Sequence, residues 1–280
     1  MKELFDTVSK KCSQEVTRTY STSFSLATRL LGPAIRQDIY NIYGFVRLAD
    51  EIVDSFHDYD KKALFDRFEK ELHLALEQKI SLNPILNAFQ ETVHNYKIDP
   101  ELINTFMASM RLDLTKNVYT TTEEFNDYIY GSADVVGLMC LKVFVKGDPE
   151  KYLGLKVAAM NLGSAFQKVN FLRDLKEDHD MLNRTYFPNT NLDALDEFSK
   201  TRIILEIEEN FNLGYQGILQ LPHDSKLGVF VAYRYYRRLL KKLQKTPATE
   251  IKNSRIRVPN LEKIGLLTRS YVKYQLNLVK

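Results

Sequence analysis

Turn-forming residues are scarce in this sequence: glycine occurs 11 times and proline 8 times in 280 residues, scattered, with no Ser/Pro/Gly-rich stretch among them. That argues against a chain divided by a linker, and no internal repeat or low-complexity tract points to a solenoid. One continuous domain over residues 1–280 is expected. Long apolar runs are missing too. The best, Val135 to Leu141, stops at Lys142, far short of the roughly 18 residues a membrane span needs. Met1 to Lys11 carries Lys2, Glu3, Asp6, Lys10 and Lys11 where a signal peptide has its apolar stretch, so none is expected. Cys12 and Cys140 have no CxxC or Cys/His company, which speaks against a disulfide framework and a zinc site and for a reducing cytoplasm. None of the five histidines has metal-ligand spacing, and neither the Glu-x-x-His motif of a di-iron bundle nor a GxSxG elbow occurs.

What is present is helical. Apolar residues recur at three- and four-residue spacing, strand-like alternation is hard to find, and an all-α fold is expected. With 44% hydrophobic residues the chain can bury a large core. The clearest helix opens at Gly32-Pro33 and runs to about Phe56, with Ile35, Ile39, Ile42, Val46, Ala49, Val53 and Phe56 on one stripe that reads as core. Further helices are predicted at about 3–29, 61–80, 84–95, 100–116, 122–146, 150–182, 193–220, 225–245 and 259–278. The net charge of +3 is unevenly placed: from Arg234 to Arg257, nine basic residues face only Glu250. A solvated helix face explains most such runs; attraction to an anionic substrate, membrane surface or nucleic acid is the functional reading.

One position along from the stripe of the Pro33 helix runs a second line: Tyr40, Tyr43, Arg47, Asp50 and Asp54. It sets a polar edge beside the core face, as in a cleft wall. Asp50 and Asp54 form an i,i+4 like-charge pair, which costs an isolated helix about 0.2–0.5 kcal/mol and asks for a compensating cation. The pattern recurs. Beside the stripe Leu162, Phe166 and Val169 lie Gly163, Gln167, Asn170 and Asp174, extended by Asp178, with Arg173 just before the pair. A single DxxxD is usually a solvated acidic face. Two of them, each flanking a core stripe and accompanied by arginine, fit diphosphate binding through Mg²⁺, a hard ion typically held by one or two carboxylates plus substrate phosphates. Arg47 and Arg173 offer planar donor forks for diphosphate oxygens. Paired carboxylates without a metal repel phosphate, so a nucleic-acid partner is not expected.

These residues resemble a known family. Ser21-Thr22-Ser23-Phe24-Ser25, Ile39-Tyr40 through Tyr43, Arg47 and Asp50-Glu51-Ile52-Val53-Asp54, the segment Tyr128-Ile129-Tyr130-Gly131-Ser132-Ala133 with Val136-Gly137, and Gln167 through Asp178 ending at Tyr186-Phe187-Pro188 are similar, in content and order, to the squalene/phytoene synthases. The chain departs from the family's pattern at Glu51, where aspartate is commoner, and at Asp134, in a stretch that is often apolar. The resemblance implies a helical isoprenoid synthase fold with a central cavity. It implies that Asp50, Asp54, Asp174 and Asp178 bind Mg²⁺, with Mn²⁺ able to substitute, and that Arg47 and Arg173 act with them in catalysis. It further implies that Ser21, Ser23, Phe24, Tyr43, Tyr130, Gln167, Asn170, Tyr235 and Arg257 contact substrate.

The implied reaction is prenyl transfer: the 1-1′ condensation of two geranylgeranyl diphosphates to phytoene through a cyclopropylcarbinyl diphosphate, in carotenoid biosynthesis, without a nicotinamide cofactor. Condensation of farnesyl diphosphate to dehydrosqualene or squalene is the alternative within the family. A catalytically silent scaffold of the same fold is the alternative of another class, and the retained aspartates argue against it. A cytoplasmic protein is expected, with its basic segment offering peripheral contact to the inner membrane surface.

Overall fold

The computed structural model describes residues 1–182, 186–188 and 195–279, leaving aside the side chains of 177–182. The described residues form helices α1 (Lys2–Tyr20), α2 (Thr22–Thr28), α3 (Pro33–Asp54), α4 (Lys61–Gln78), α5 (Pro84–Tyr96), α6 (Pro100–Leu112) and α7 (Thr122–Ile129). A π-helical turn, Tyr130–Asp134, leads into α8 (Val135–Phe144), followed by α9 (Pro149–Leu182), α10 (Glu197–Gln220), α11 (His223–Lys245), α12 (Ala248–Ile251) and α13 (Asn260–Gln275). No strand occurs among the described residues. Helices α3, α5, α6 and α9 each open on a proline, where the missing N–H leaves no hydrogen bond unmade. Asn83 and Asp99 cap α5 and α6 by accepting from the backbone N–H groups of Ile85 and Glu101.

The chain is all-α, as its periodicity predicts, and two interruptions shape the site. The predicted helix 3–29 breaks at Ser21, whose backbone is extended (φ −144°) and whose Oγ accepts from the Phe24 N–H to start α2. The predicted helix 122–146 contains the π-helical turn. There Gly131 presses so closely on Ser109 that an added Cβ would come within 1.8 Å of its Oγ. Such turns inside helices are frequent at functional sites because they re-aim the side chains they carry.

Ile35, Ile39, Ile42, Ala49 and Val53 of the α3 stripe are buried in one core, with Val46 and Phe56 packed at its edge. Phe45 stacks on Phe89 at 4.0 Å in the same core. Tyr40, read from sequence as part of the cleft wall, is instead 1% exposed, because that part of α3 is covered by neighbouring helices. A second core gathers Val169, Leu172 and Leu175 of α9 with residues of α10 and α11, and Tyr186 and Phe187 close it, Tyr186 stacking on Phe171 at 3.7 Å. The long helix α9 contributes to both cores and so forms the spine along which the site is built.

Candidate active site

The polar half of the site starts from the α1–α2 break. Ser21 and Ser23 line a polar cavity with Tyr20, Arg173 of α9, Tyr235 of α11, Arg255 and Arg257 of the α12–α13 connection, and Lys263 of α13. Three arginines and a lysine around hydroxyls make a receptacle for a multiply charged anion. Arg173 Nε donates to Asp174 Oδ1 at 2.8 Å, and its Nη2 donates to Oδ2, completing a two-pronged pair. Arg255 Nε approaches the same Asp174 Oδ1 at 2.9 Å. On α3, Arg47 donates to Asp50 Oδ2 at 2.8 Å and to Glu51, while its guanidinium lies 4.4 Å from the centre of the Tyr20 ring. The first aspartate of each motif is thus paired with arginine, and Arg173 and the Tyr20 ring tie these pairs to the rim of the polar cavity.

The apolar half is a cavity of about 310 Å³. It is walled on α9 by one face that descends from Asn170 and Gln167 through Phe166, Gly163 and Ala159 to Leu155. At 1.5 Å rise per residue the fifteen steps from Asn170 to Leu155 span about 22 Å. Gly217 on α10 allows the walls to close in: a Cβ there would come within 2.5 Å of the Ala158 Cβ. The upper end is aromatic. Phe24 and Tyr43 stack at 4.7 Å, and Phe166 and Tyr236 stack at 4.1 Å. Tyr236 Oη donates to Asn170 Oδ1 at 3.3 Å. Burial pushes the Tyr43 hydroxyl up to about 12, so it stays protonated and neutral at physiological pH.

A polar, cationic receptacle joined through α9 to a deep apolar cavity suits an amphiphile with an anionic head. The squalene/phytoene synthase family model matches residues 17–262. The chain belongs to the squalene/phytoene synthase family. It is a prenyltransferase. Among similar proteins, the phytoene synthase of Arthrospira platensis is 29% identical over 91% of this chain and 89% of its own length. Phytoene synthase 1 of Solanum lycopersicum is 28% identical over 87% of this chain, which covers 62% of that longer protein. In fold, a crystal structure of a dehydrosqualene synthase in complex with ligand superposes with a TM-score of 0.81 at 21% identity, covering 96% of this chain and 98% of that one.

Of the site residues expected from the family's motifs, nine line one or the other cavity, while Arg47, Asp50, Asp54 and Asp174 line neither. Phe24, Tyr43, Gln167 and Asn170 line the apolar one; Ser21, Ser23, Arg173, Tyr235 and Arg257 line the polar one. Tyr130 opens the π-helical turn and packs against the first core, lining neither cavity. Asp178 lies on α9, and its side chain is outside the described residues. Sequence reasoning missed Tyr236, Arg255 and Lys263. Tyr236 had a signal: Val229, Ala232 and Tyr236 follow helical spacing, and all three face the apolar cavity, whereas Tyr235, one residue earlier, turns to the polar one. Arg255 had none, since it lies in a connection without periodicity among many basic neighbours.

Among the described residues no group of three or more carboxylate, histidine or cysteine side chains forms a ready metal cage. The donor chemistry nevertheless fits Mg²⁺. Asp50 and Asp174 present hard carboxylate oxygens beside a cationic cavity, and this ion commonly takes only one or two carboxylates, completing its shell with waters and substrate phosphates.

Proposed function

We propose that this enzyme condenses two geranylgeranyl diphosphates to phytoene, releasing two diphosphates and two protons. The observation that carries the reading is the depth of the apolar cavity. Sixteen main-chain carbons of a C20 prenyl group extend about 19 Å and the twelve of a C15 group about 14 Å, taking about 1.25 Å of advance per C–C bond. The wall from Asn170 down to Leu155, about 22 Å by helical rise, accommodates the longer chain.

Asp50, Asp54, Asp174 and Asp178 would hold Mg²⁺, which when bound supplies a Lewis acid for the departing diphosphate. Arg173, Arg255, Arg257 and Lys263 receive the charge that builds on that diphosphate, with the Ser21 and Ser23 hydroxyls as neutral donors. Arg173 and Arg255 are held against Asp174 before substrate arrives, so they are oriented at little further entropic cost. The two aromatic stacks present π faces where the allylic and cyclopropylcarbinyl cations form, and the apolar wall below keeps water from quenching them. Neutral Tyr43 provides no anionic base to remove a proton early.

The test is incubation of purified protein with Mg²⁺ and either the C15 or the C20 diphosphate, without NADPH, followed by product mass. A C40 hydrocarbon from the C20 donor is expected. Product from the C15 donor alone, or a strict need for NADPH, refutes the phytoene assignment.

A further inference from the structure

Behind the apolar cavity lies a buried polar seam. It begins in the π-helical turn, where Ser132 and Ala133 line the cavity and the next residue, Asp134, is 6% exposed. Asp134 Oδ1 accepts from Ser164 Oγ of α9 at 2.7 Å. One helical turn along the same side of α9, Lys168 is buried too; its Nζ donates to Asn210 Oδ1 at 3.0 Å and to Glu206 of α10. Asn210 in turn donates to Asn161 Oδ1 at 2.8 Å. Glu206 brings the seam to the surface, its side chain 51% exposed against 6% for that of Lys168. Polar groups thus lead from solvent to the back of an apolar wall.

The wall is thin where the seam meets it. Gly163 lines the cavity without a side chain, and a Cβ there would come within 3.0 Å of the Ala133 carbonyl oxygen and 3.2 Å of Asp134 Oδ1. The turn therefore lies flush on α9, with the Asp134–Ser164 bond tying the two together. Ser132 Oγ, on the same turn, is buried with no partner among the described residues, a group that one entering water would satisfy. Gly163 is seven residues below Asn170, about 10 Å by helical rise, and so just under the stacked Phe166 and Tyr236. Water passing between the turn and α9 would arrive beside the place where the cations form. The charge acting on the Asp134 carboxyl is Lys168, itself committed to Glu206. Burial pushes that carboxyl up to about 7, and in either protonation state its Oδ1 can accept from Ser164.

We propose that Asp134 is a positioning residue whose hydrogen bond with Ser164 latches the π-helical turn onto α9 and closes the polar seam against water. The water-exclusion part rests on the reading given under Proposed function; the latch does not. With the latch broken, water attacks the allylic cation: a C–O bond forms from a lone pair of the water oxygen, a proton leaves, and the C20 alcohol replaces the C40 hydrocarbon. Wild type, Asp134→Ala, Ser164→Ala, their double variant and Asp134→Asn are compared by product ratio, KM and hydrogen exchange of the 130–137 amides. Each alanine variant raises the ratio of alcohol to hydrocarbon about tenfold, a shift of about 1.4 kcal/mol between competing barriers, with KM little changed. The 130–137 amides exchange about tenfold faster in both. Because each substitution breaks the same bond, the double variant is no worse than the single ones. Asp134→Asn keeps a neutral acceptor oxygen in a side chain of the same size and behaves as the wild type.

Melting curves show which variants are folded; if Asp134→Ala is not, Ser164→Ala, which loses a single oxygen atom, carries the test. A folded Ser164→Ala protein with the product ratio and amide exchange of the wild type overturns the proposal. So does an Asp134→Asn protein that leaks as much alcohol as Asp134→Ala. Faster exchange with an unchanged product ratio strikes the seal against water and upholds the latch. If the wild type makes no hydrocarbon from either donor, the enzymatic reading fails and exchange alone decides the latch: faster in Ser164→Ala but not in Asp134→Asn upholds it, and unchanged in both strikes it.

Discussion

Ala159→Phe is expected to shorten the product. Ala159 lies eleven residues below Asn170 on the cavity-facing side of α9, about 16 Å down by helical rise, and Gly137 of α8 approaches it closely. A benzyl group there fills the lower third of the cavity. The remaining depth suits a chain of about 14 Å and not one of about 19 Å, taking about 1.25 Å per C–C bond. The last isoprene unit of a C20 donor then loses its burial: five carbons at about 0.8 kcal/mol each give up to about 4 kcal/mol, or two to three decades in kcat/KM. The C15 donor loses little. The substitution places bulk in an existing void, so its cost in stability should fall at or below the 1–3 kcal/mol usual for overpacking. Product mass and kcat/KM for the C15 and C20 donors, alone and in competition, measure the shift, with a melting curve to show that the variant is folded. A folded Ala159→Phe protein that makes the C40 hydrocarbon as efficiently as the wild type would falsify the placement of the prenyl chain along α9.

Asp174→Asn should lower turnover by on the order of 10² or more, as when a key transition-state contact is lost. Relief of the Asp174/Asp178 repulsion argues for a gain in stability, but the change also leaves Arg173 and Arg255 without their shared carboxylate, so a net loss of about 1–3 kcal/mol is expected by chemical denaturation. Removing Mg²⁺ with EDTA should abolish turnover reversibly while shifting the melting temperature little, because Asp50 and Asp174 already have arginine partners. Buried Asp134 accepts from Ser164 Oγ at 2.7 Å, and burial pushes its carboxyl up to about 7. The folded state then holds a proton that the unfolded state loses near 4, so stability falls as pH rises from about 4 to about 7, by up to about 4 kcal/mol. Asp134→Asn should remove that slope and be the more stable protein at pH 8, as read by denaturant midpoints across pH. Tyr236→Phe should cost roughly five- to tenfold in turnover through the lost bond to Asn170, worth about 1 kcal/mol, and a larger effect from Tyr235→Phe would reverse the assignment of the two tyrosines.

Much of this protein is legible in its local pattern. The three- and four-residue spacing of Ile35, Ile39, Ile42, Ala49 and Val53 places them on the buried side of α3, because a helix puts such residues on one face whatever surrounds it. The same rule puts Arg47 beside Asp50, and Gln167 and Asn170 above Gly163 on the cavity side of α9, and prolines at first turns set the starts of four helices. Local spacing cannot say which faces meet. Tyr40 and Tyr43 sit on the same predicted line, yet neighbouring helices bury one in the core and leave the other stacked on Phe24 in the cavity. The break at Ser21 is capped locally, but the π-helical turn at 130–134 sets Gly131 against Ser109, a contact that local spacing does not carry. Recruitment of Arg255 to Asp174 joins residues 81 positions apart through a connection that has no period. The depth of the cavity is likewise a property of how α2, α3, α8, α9, α10 and α11 pack together, and packing is non-local: the sequence carries the faces, and only the assembled helices decide what space is left between them.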